Sequence, residues 1–181
     1  LSAALTEPLA CCVHAALEKT TIESSDTVLI IGPGPIGLLL AQVVKSQGAT
    51  VIMSGVTKDK ERLEIAKNLG VDRTVNVMEE SLADVVNEMT DGNGVNKGFD
   101  CSGFMPAVNE ALRLLRKKGT FVQVGIFAKK LNEMDQEAII QRELQYIGSR
   151  SQKPSSWITA LDLMASGKVN TEALVTRTVG L

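Results

Sequence analysis

The chain is predicted to fold as an α/β protein, a three-layer, doubly wound parallel sheet of about six strands. Three observations predict it. Short β-branched apolar runs (TVLII, TVIMS, TFVQV) alternate about six times with amphipathic helical stretches along most of the 181 residues. Glycine stands where the helices should stop, at Gly48, Gly70 and Gly167. A glycine-rich hexapeptide, GPGPIG at 32–37, joins the first strand to the helix after it.

The elements follow in order. A helix is predicted over Pro8–Lys19. The turn-like SSD introduces a buried strand, Thr27–Ile31, and the glycine loop follows. On the next helix, Pro35–Gln47, the residues Ile36, Leu39, Leu40, Val43 and Val44 recur with the helical period and form one apolar face. A second strand spans Thr50–Ser54 and a second helix Asp59–Leu69. The strand Arg73–Val77, the helix Ser81–Met89 and a DGNG turn at 91–94 come next. Strands at Lys97–Cys101 and Thr120–Val124 flank the helix Pro106–Leu115. The helix Met134–Gln141, the strand Glu143–Ile147 and the helix Pro154–Ser166 complete the alternation. The tail VNTEALVTRTVGL departs from it.

Composition narrows the function. Net charge is −2 and aromatics are 3%, which argues against a basic nucleic-acid surface and against base-stacking platforms. Apolar residues at 44% suffice for a sizeable core. The longest apolar run is broken by Gly and Pro, so no membrane span is expected. The three cysteines, Cys11, Cys12 and Cys101, form no CxxC pair, and a reduced, cytoplasmic setting is expected. The opening LSAALTEPLA reads as the middle of a longer chain, without initiator Met or signal peptide.

The glycine loop gains meaning from its context, since it leaves a buried strand and opens a helix directly. Gly32 suits the tight turn off the strand. Gly34 lets backbone approach a pyrophosphate, and Gly37 lets the helix pack against the strand. Pro35 suits the first helical turn, and with Ile36 it frames a helix N-terminus whose free N–H groups favour phosphate. No GK[ST] follows, which argues against a P-loop. The alternative is a glycine-rich turn that binds nothing. The site so described takes a dinucleotide, NAD or NADP.

An NAD-binding unit carries an acid at the end of its second strand, where it meets the ribose 2′-hydroxyl. Here Ser54 and Gly55 occupy that place, and no carboxylate precedes Asp59. Thr57, Lys58, Lys60 and Arg62 lie close by. Hydroxyls and cations without an acid accept a 2′-phosphate, which tilts the expectation toward NADP. The same cations equally suit the solvated face of the second helix.

The chain resembles the cofactor-binding half of the medium-chain, zinc-dependent alcohol and polyol (sorbitol-like) dehydrogenases. The resemblance runs through EPLACCVHAALEK, VLIIGPGPIGLLLAQVVKSQGA, ERLEIAKNLGVDRTVN, FDCSG, ALRLLRKKGTFVQVGI and GKVNTEALVTRTVGL. It implies a Rossmann domain over 21–168, a linking helix over 1–20 and the start of a return to a separate catalytic domain over 169–181. It implies that Val124, Gly125 and Ile126 run along the nicotinamide. Cys101, Ser102 and Gly103 would sit near the cofactor, and Ser149 and Arg150 would face the nicotinamide or the phosphates.

The same resemblance sets Glu7 on the zinc side, coordinating the metal or holding its water; the alternative is a first-turn acid favoured by the helix dipole. His14, the one histidine, reads as a packing residue, as do Cys11 and Cys12. Asp100 reads either as an acid near the cofactor or as a strand-end cap. The family's zinc ligands belong to the separate domain, so no catalytic residue is expected here. The implied activity is hydride transfer between an alcohol or polyol and NAD(P)+. A zinc-free quinone or enoyl reductase and a non-catalytic nucleotide-sensing module are the alternatives. Pairing of the edge strand Glu143–Ile147 into a homodimer or tetramer is implied as well.

Overall fold

The computed structural model describes residues 2–177. Six strands form a single sheet: β1 (Thr27–Ile31), β2 (Thr50–Gly55), β3 (Arg73–Asn76), β4 (Val95–Asp100), β5 (Leu115–Gln123) and β6 (Gln145–Gly148). All pairings are parallel, in the order β3-β2-β1-β4-β5-β6. The chain leaves β3 at one edge and returns to the centre as β4, beside β1. Ile31 there lies in register with Ser54 on one side and Asp100 on the other. Parallel strands buried on both faces need apolar residues on both, and β1 supplies them. Val28 and Ile30 enter one core, Leu29 and Ile31 the other.

The first core lies under α1 (Thr6–Val13), α2 (Pro35–Lys45), α3 (Lys60–Asn68) and α7 (Pro154–Ala165). The second lies under α4 (Leu82–Met89), α5 (Met105–Leu114) and α6 (Gln136–Gln141). The caps explain two boundaries. Ser81 accepts from Asp84 N at 3.2 Å and starts α4, and Asp135 accepts from Ala138 N at 3.0 Å and starts α6.

Several expectations need correcting. α2 is buried almost all round, from Gly37 to Val44, rather than on one face. The sheet covers one side and α1 another. The segment Val169–Thr171 folds back onto it, where Gln42 Oε1 accepts from Asn170 N at 2.6 Å. Ile36, counted in the apolar face, is only half-buried. The first helix winds on past Val13 as a π-helical turn, His14–Glu18. The edge strand runs Gln145–Gly148, not Glu143–Ile147, because Glu143 takes φ 50° in the turn and Leu144 is drawn into the core. β5 begins at Leu115, and Arg116–Lys118 is an exposed part of it. Residues 178–181 of the expected return lie outside the described residues. Among the described residues, no helix is long and apolar enough to cross a membrane.

Candidate dinucleotide-binding site

The carboxyl ends of β1, β2 and β4 open onto a cleft of about 570 Å³, at the point where the strand order reverses. Its walls include Gly32, Ser54, Gly55, Lys58, Ser102 and Gly103. A shallower depression of about 660 Å³ lies at the opposite, amino ends of the strands, beside Thr27 and Asn96. Its glycines, Gly92 and Gly94, belong to the DGNG turn that leads into β4 rather than to a loop that opens a helix, and the cleft is the better candidate.

Each glycine of the loop has its own geometry. Gly32 adopts φ 92°, open to glycine at no steric cost, and its N–H donates to Ser54 O at 2.9 Å. A β-carbon on Gly37 would lie 2.0 Å from Gly32 O, so α2 packs on the loop at backbone distance. Gly34 differs. It caps α2 with φ −71° and ψ 178°, and a β-carbon there would meet nothing within 4 Å. The first and third glycines are occupied by the fold, whereas the second faces open space at a helix N-terminus. Pro35 is the first residue of α2. The Ile36 carbonyl accepts from the Cys12 thiol at 3.4 Å.

The end of β2 forms one wall. Lys58 is exposed and lines the cleft. Arg62 is drawn to Asp59, with Nη1 3.4 Å from Oδ1. Asp59 is 9% exposed, and its Oδ2 also accepts from Val56 N at 3.2 Å. Thr57 Oγ1 accepts from Asn76 Nδ2 at 3.2 Å, on the exposed rim. Sequence reading thus placed the cations here but missed that Asp59 is part of the wall and already holds one of them.

The turns after β4 and β5 form the other wall. Asp100 is fully buried. Its Oδ1 accepts from Ser102 N at 2.9 Å and Ser102 Oγ at 2.6 Å, and its Oδ2 accepts from Gly103 N at 3.0 Å and from Gln123 Nε2. A carboxylate so enclosed is a strand-end cap that shapes the turn, which decides the alternative left open by the sequence. Val124 N and Gly125 N both donate to Asp100 O, at 3.0 and 2.8 Å. The two turns touch, since a β-carbon on Gly103 would lie 2.2 Å from Ile126 O. Ile126 is 80% exposed, and Val124 packs against the first core.

Cys101 packs toward Gly37, and burial, with the Asp100 charge second, pushes its thiol well above the usual range. Ser149 is buried at the end of β6 and Arg150 is exposed beyond it. Gln123 and Tyr146 escaped the sequence reading. Gln123 Oε1 accepts from Tyr146 Oη at 2.8 Å, and burial, then Asp100, pushes the phenol up to about 12. The alternation of TFVQV and ELQYI was the one signal that either faced the strand end.

Glu7 is exposed in the first turn of α1. The Cys11 thiol donates to Glu7 Oε1 at 3.6 Å and to Gln152 Oε1 at 3.1 Å. Burial, then Glu7, pushes that thiol up to about 11. His14 is 5% exposed, with Nδ1 2.6 Å from Glu18 Oε2. Among the described residues no three His, Cys, Asp or Glu side chains converge to hold a metal ion. Glu7 and Cys11 alone do not fit zinc, which takes at least three protein ligands.

A family model for zinc-binding dehydrogenases matches residues 35–166, the whole span from the phosphate-loop helix through α7. The chain belongs to the zinc-binding dehydrogenase family. This dehydrogenase chain is 56% identical over 175 residues to the D-arabitol-phosphate dehydrogenase of Enterococcus avium, covering 97% of the chain and 50% of that relative. It is 49% identical to the sorbitol dehydrogenase of Halalkalibacterium halodurans, covering 97% of the chain and 51% of that relative. It therefore spans about half the length of the curated relatives it matches. A crystal structure of a zinc-binding dehydrogenase from Sinorhizobium meliloti 1021, bound to NADP, superposes with a TM-score of 0.84 at 30% identity, over 94% of this chain and 50% of that one.

Proposed function

We propose that this chain is the nicotinamide-dinucleotide-binding half of an oxidoreductase that transfers hydride between an alcohol or polyol and NAD(P)+. The observation that carries the reading is Gly34: a backbone position with open space around it, at the N-terminus of a buried helix, two residues on from the Gly32 that lines the switch-point cleft. When bound, the nicotinamide supplies the hydride acceptor. The chain's own part is binding and orientation. The N-terminus of α2 holds the pyrophosphate, and the 124–126 turn, fixed by Asp100, sets the ring's position. The names of the two curated relatives support a polyol or its phosphate ester as substrate. The described residues alone do not make a zinc site, so Glu7 would approach the metal from this half while its other ligands, and its Lewis-acid chemistry, lie beyond them.

The 2′ position tilts toward NADP. Gly55 offers no acid and Lys58 faces the cleft, while Arg62 shares its charge with Asp59. β6 closes one edge of the sheet and presents unpaired backbone, which suits pairing with a second copy into a dimer or tetramer. Residues 21–168 are the nucleotide-binding domain, with 1–20 and 169–181 as its links to the other half. Three free cysteines among the described residues suit a reducing cytoplasm. Titration of the protein with NADH and NADPH tests the reading. Saturable binding of both, tighter for NADPH, is expected; binding of neither overturns the function. A strong NADH preference that ignores replacement of Lys58 or Arg62 overturns the NADP assignment.

A further inference from the structure

Gly55 ends β2 where a ribose-reading acid would stand. A β-carbon built there would lie 2.9 Å from Pro33 Cγ and 3.0 Å from Pro33 Cδ. No left-handed backbone asks for glycine at this position, so the demand is steric alone. Pro33 has little freedom to retreat. It is buried, and its closed ring can change pucker but cannot swing away to another rotamer. The residue before it, Gly32, is fastened to β2 by its hydrogen bond to Ser54 O at 2.9 Å. The residue after it, Gly34, accepts from Leu38 N at 2.9 Å as α2 begins. On the other flank, Asp59 Cβ stands 3.4 Å from the same built atom. That is ordinary contact, so position 55 is closed by the Pro33 ring and merely bordered by Asp59.

We propose that Pro33 is a specificity-determining residue for the adenosine ribose: its ring keeps residue 55 without a side chain, and so keeps an acid away from the nucleotide's 2′ position. The inference rests on the nucleotide-binding function proposed above. Under it, the second residue of GPGPIG and the end of β2 choose the cofactor together. An acid introduced at 55 alone pushes the phosphate loop rather than reading the ribose. With the ring removed, the same acid reaches the ribose and repels a 2′-phosphate.

The full-length protein is tested as wild type, Gly55→Ala, Pro33→Ala, Pro33→Ala/Gly55→Ala and Pro33→Ala/Gly55→Asp, by thermal melting and by NADH and NADPH fluorescence titration. Gly55→Ala is expected to lower the melting temperature and to weaken both nucleotides by about tenfold alike, because it displaces the shared pyrophosphate loop. Adding Pro33→Ala is expected to bring melting and both affinities back to those of Pro33→Ala alone. Pro33→Ala/Gly55→Asp is expected to shift the NADH-to-NADPH affinity ratio toward NADH by about tenfold or more relative to Pro33→Ala. Wild-type melting and binding for Gly55→Ala overturns the proposal, as does a Pro33→Ala/Gly55→Ala protein no better than Gly55→Ala. A wild type that binds neither nucleotide overturns the function itself, and the melting data then still report whether residues 33 and 55 are coupled.

Discussion

A β-carbon at Gly125 would lie 2.5 Å from Asp100 Oδ2 and 2.4 Å from Gly103 N, so the glycine after β5 and the buried carboxylate ending β4 share one space. Gly125→Ala must displace either the carboxylate or the turn it caps. A loss of about 1–3 kcal/mol is expected, the usual cost of overpacking a filled site. Asp100→Asn is expected to lose a similar ~1–3 kcal/mol, because an amide turns an N–H toward groups that already donate. Denaturant unfolding measures both. Wild-type stability for either variant would show that the turn does not depend on this contact.

Gly34 and Gly37 separate binding from folding. Gly34→Ala fits its φ of −71° and meets no protein atom, so its melting temperature should match wild type within a degree or two. Its nucleotide affinity should fall about tenfold or more, since the methyl group enters the pyrophosphate's approach. Gly37→Ala collides with Gly32 O and should fail to give a stable fold. Paired melting and titration curves check the contrast. Unchanged nucleotide binding by Gly34→Ala would remove the cradle from the site.

Lys58 and Arg62 should not be equivalent. Lys58 lines the cleft, whereas Arg62 is paired with Asp59. Lys58→Ala is expected to weaken NADPH by roughly 3–10-fold, less so at high salt, and to leave NADH nearly unchanged. Arg62→Ala should cost less. Titrations at two salt concentrations decide, and equal losses for NADH and NADPH would place Lys58 at the pyrophosphate instead.

Glu18 gives a pH signature. Burial raises its carboxyl, but hydrogen bonds from Ser155, His14 and Ser156 outweigh that and hold it down at about 2, below the ordinary 4.5. A depressed acid stabilises the fold above its unfolded value and loses that contribution as pH falls toward the folded value. The stability of the wild type should therefore decline between pH 4.5 and about 2 more steeply than that of Glu18→Gln. Denaturant unfolding across that range checks it. Parallel curves would deny Glu18 the role.

The central strands were legible because their evidence is local. TVLII and the glycine loop carry their periodicity and turn chemistry within a few residues, and β1 has the bounds its sequence predicts. β5 starts five residues before the expected Thr120 because Leu115 pairs with Val95, while the exposed, charged Arg116–Lys118 between Leu115 and Thr120 lies in a register irregularity and carries no strand periodicity. The burial of α2 on all sides was hidden because part of its cover, the segment from Val169, is far away in sequence. In the site, the glycines were readable by spacing. For Asp100 the strand-end cap was one of two readings, and the roles of Gln123 and Asp59 were not legible, since each depends on partners brought together by the fold. The Pro33–Gly55 contact crosses from a loop to a neighbouring strand, and no periodicity announces it.

The hydrogen bond from Tyr146 to Gln123 bears on how the last strand finds its place. Four residues make β6, with exposed ends and few large apolar groups to anchor it. A slip of one residue would turn Tyr146 to the opposite face of the sheet. It would break that bond and also lose the stacking of its ring on Phe121, 5.6 Å away. The Tyr146–Gln123–Asp100 relay thus works as a registration pin: the outermost strand locks in only at the alignment that also completes the hydrogen bonds around Asp100, so correct assembly of the sheet edge and of the cleft wall are a single event.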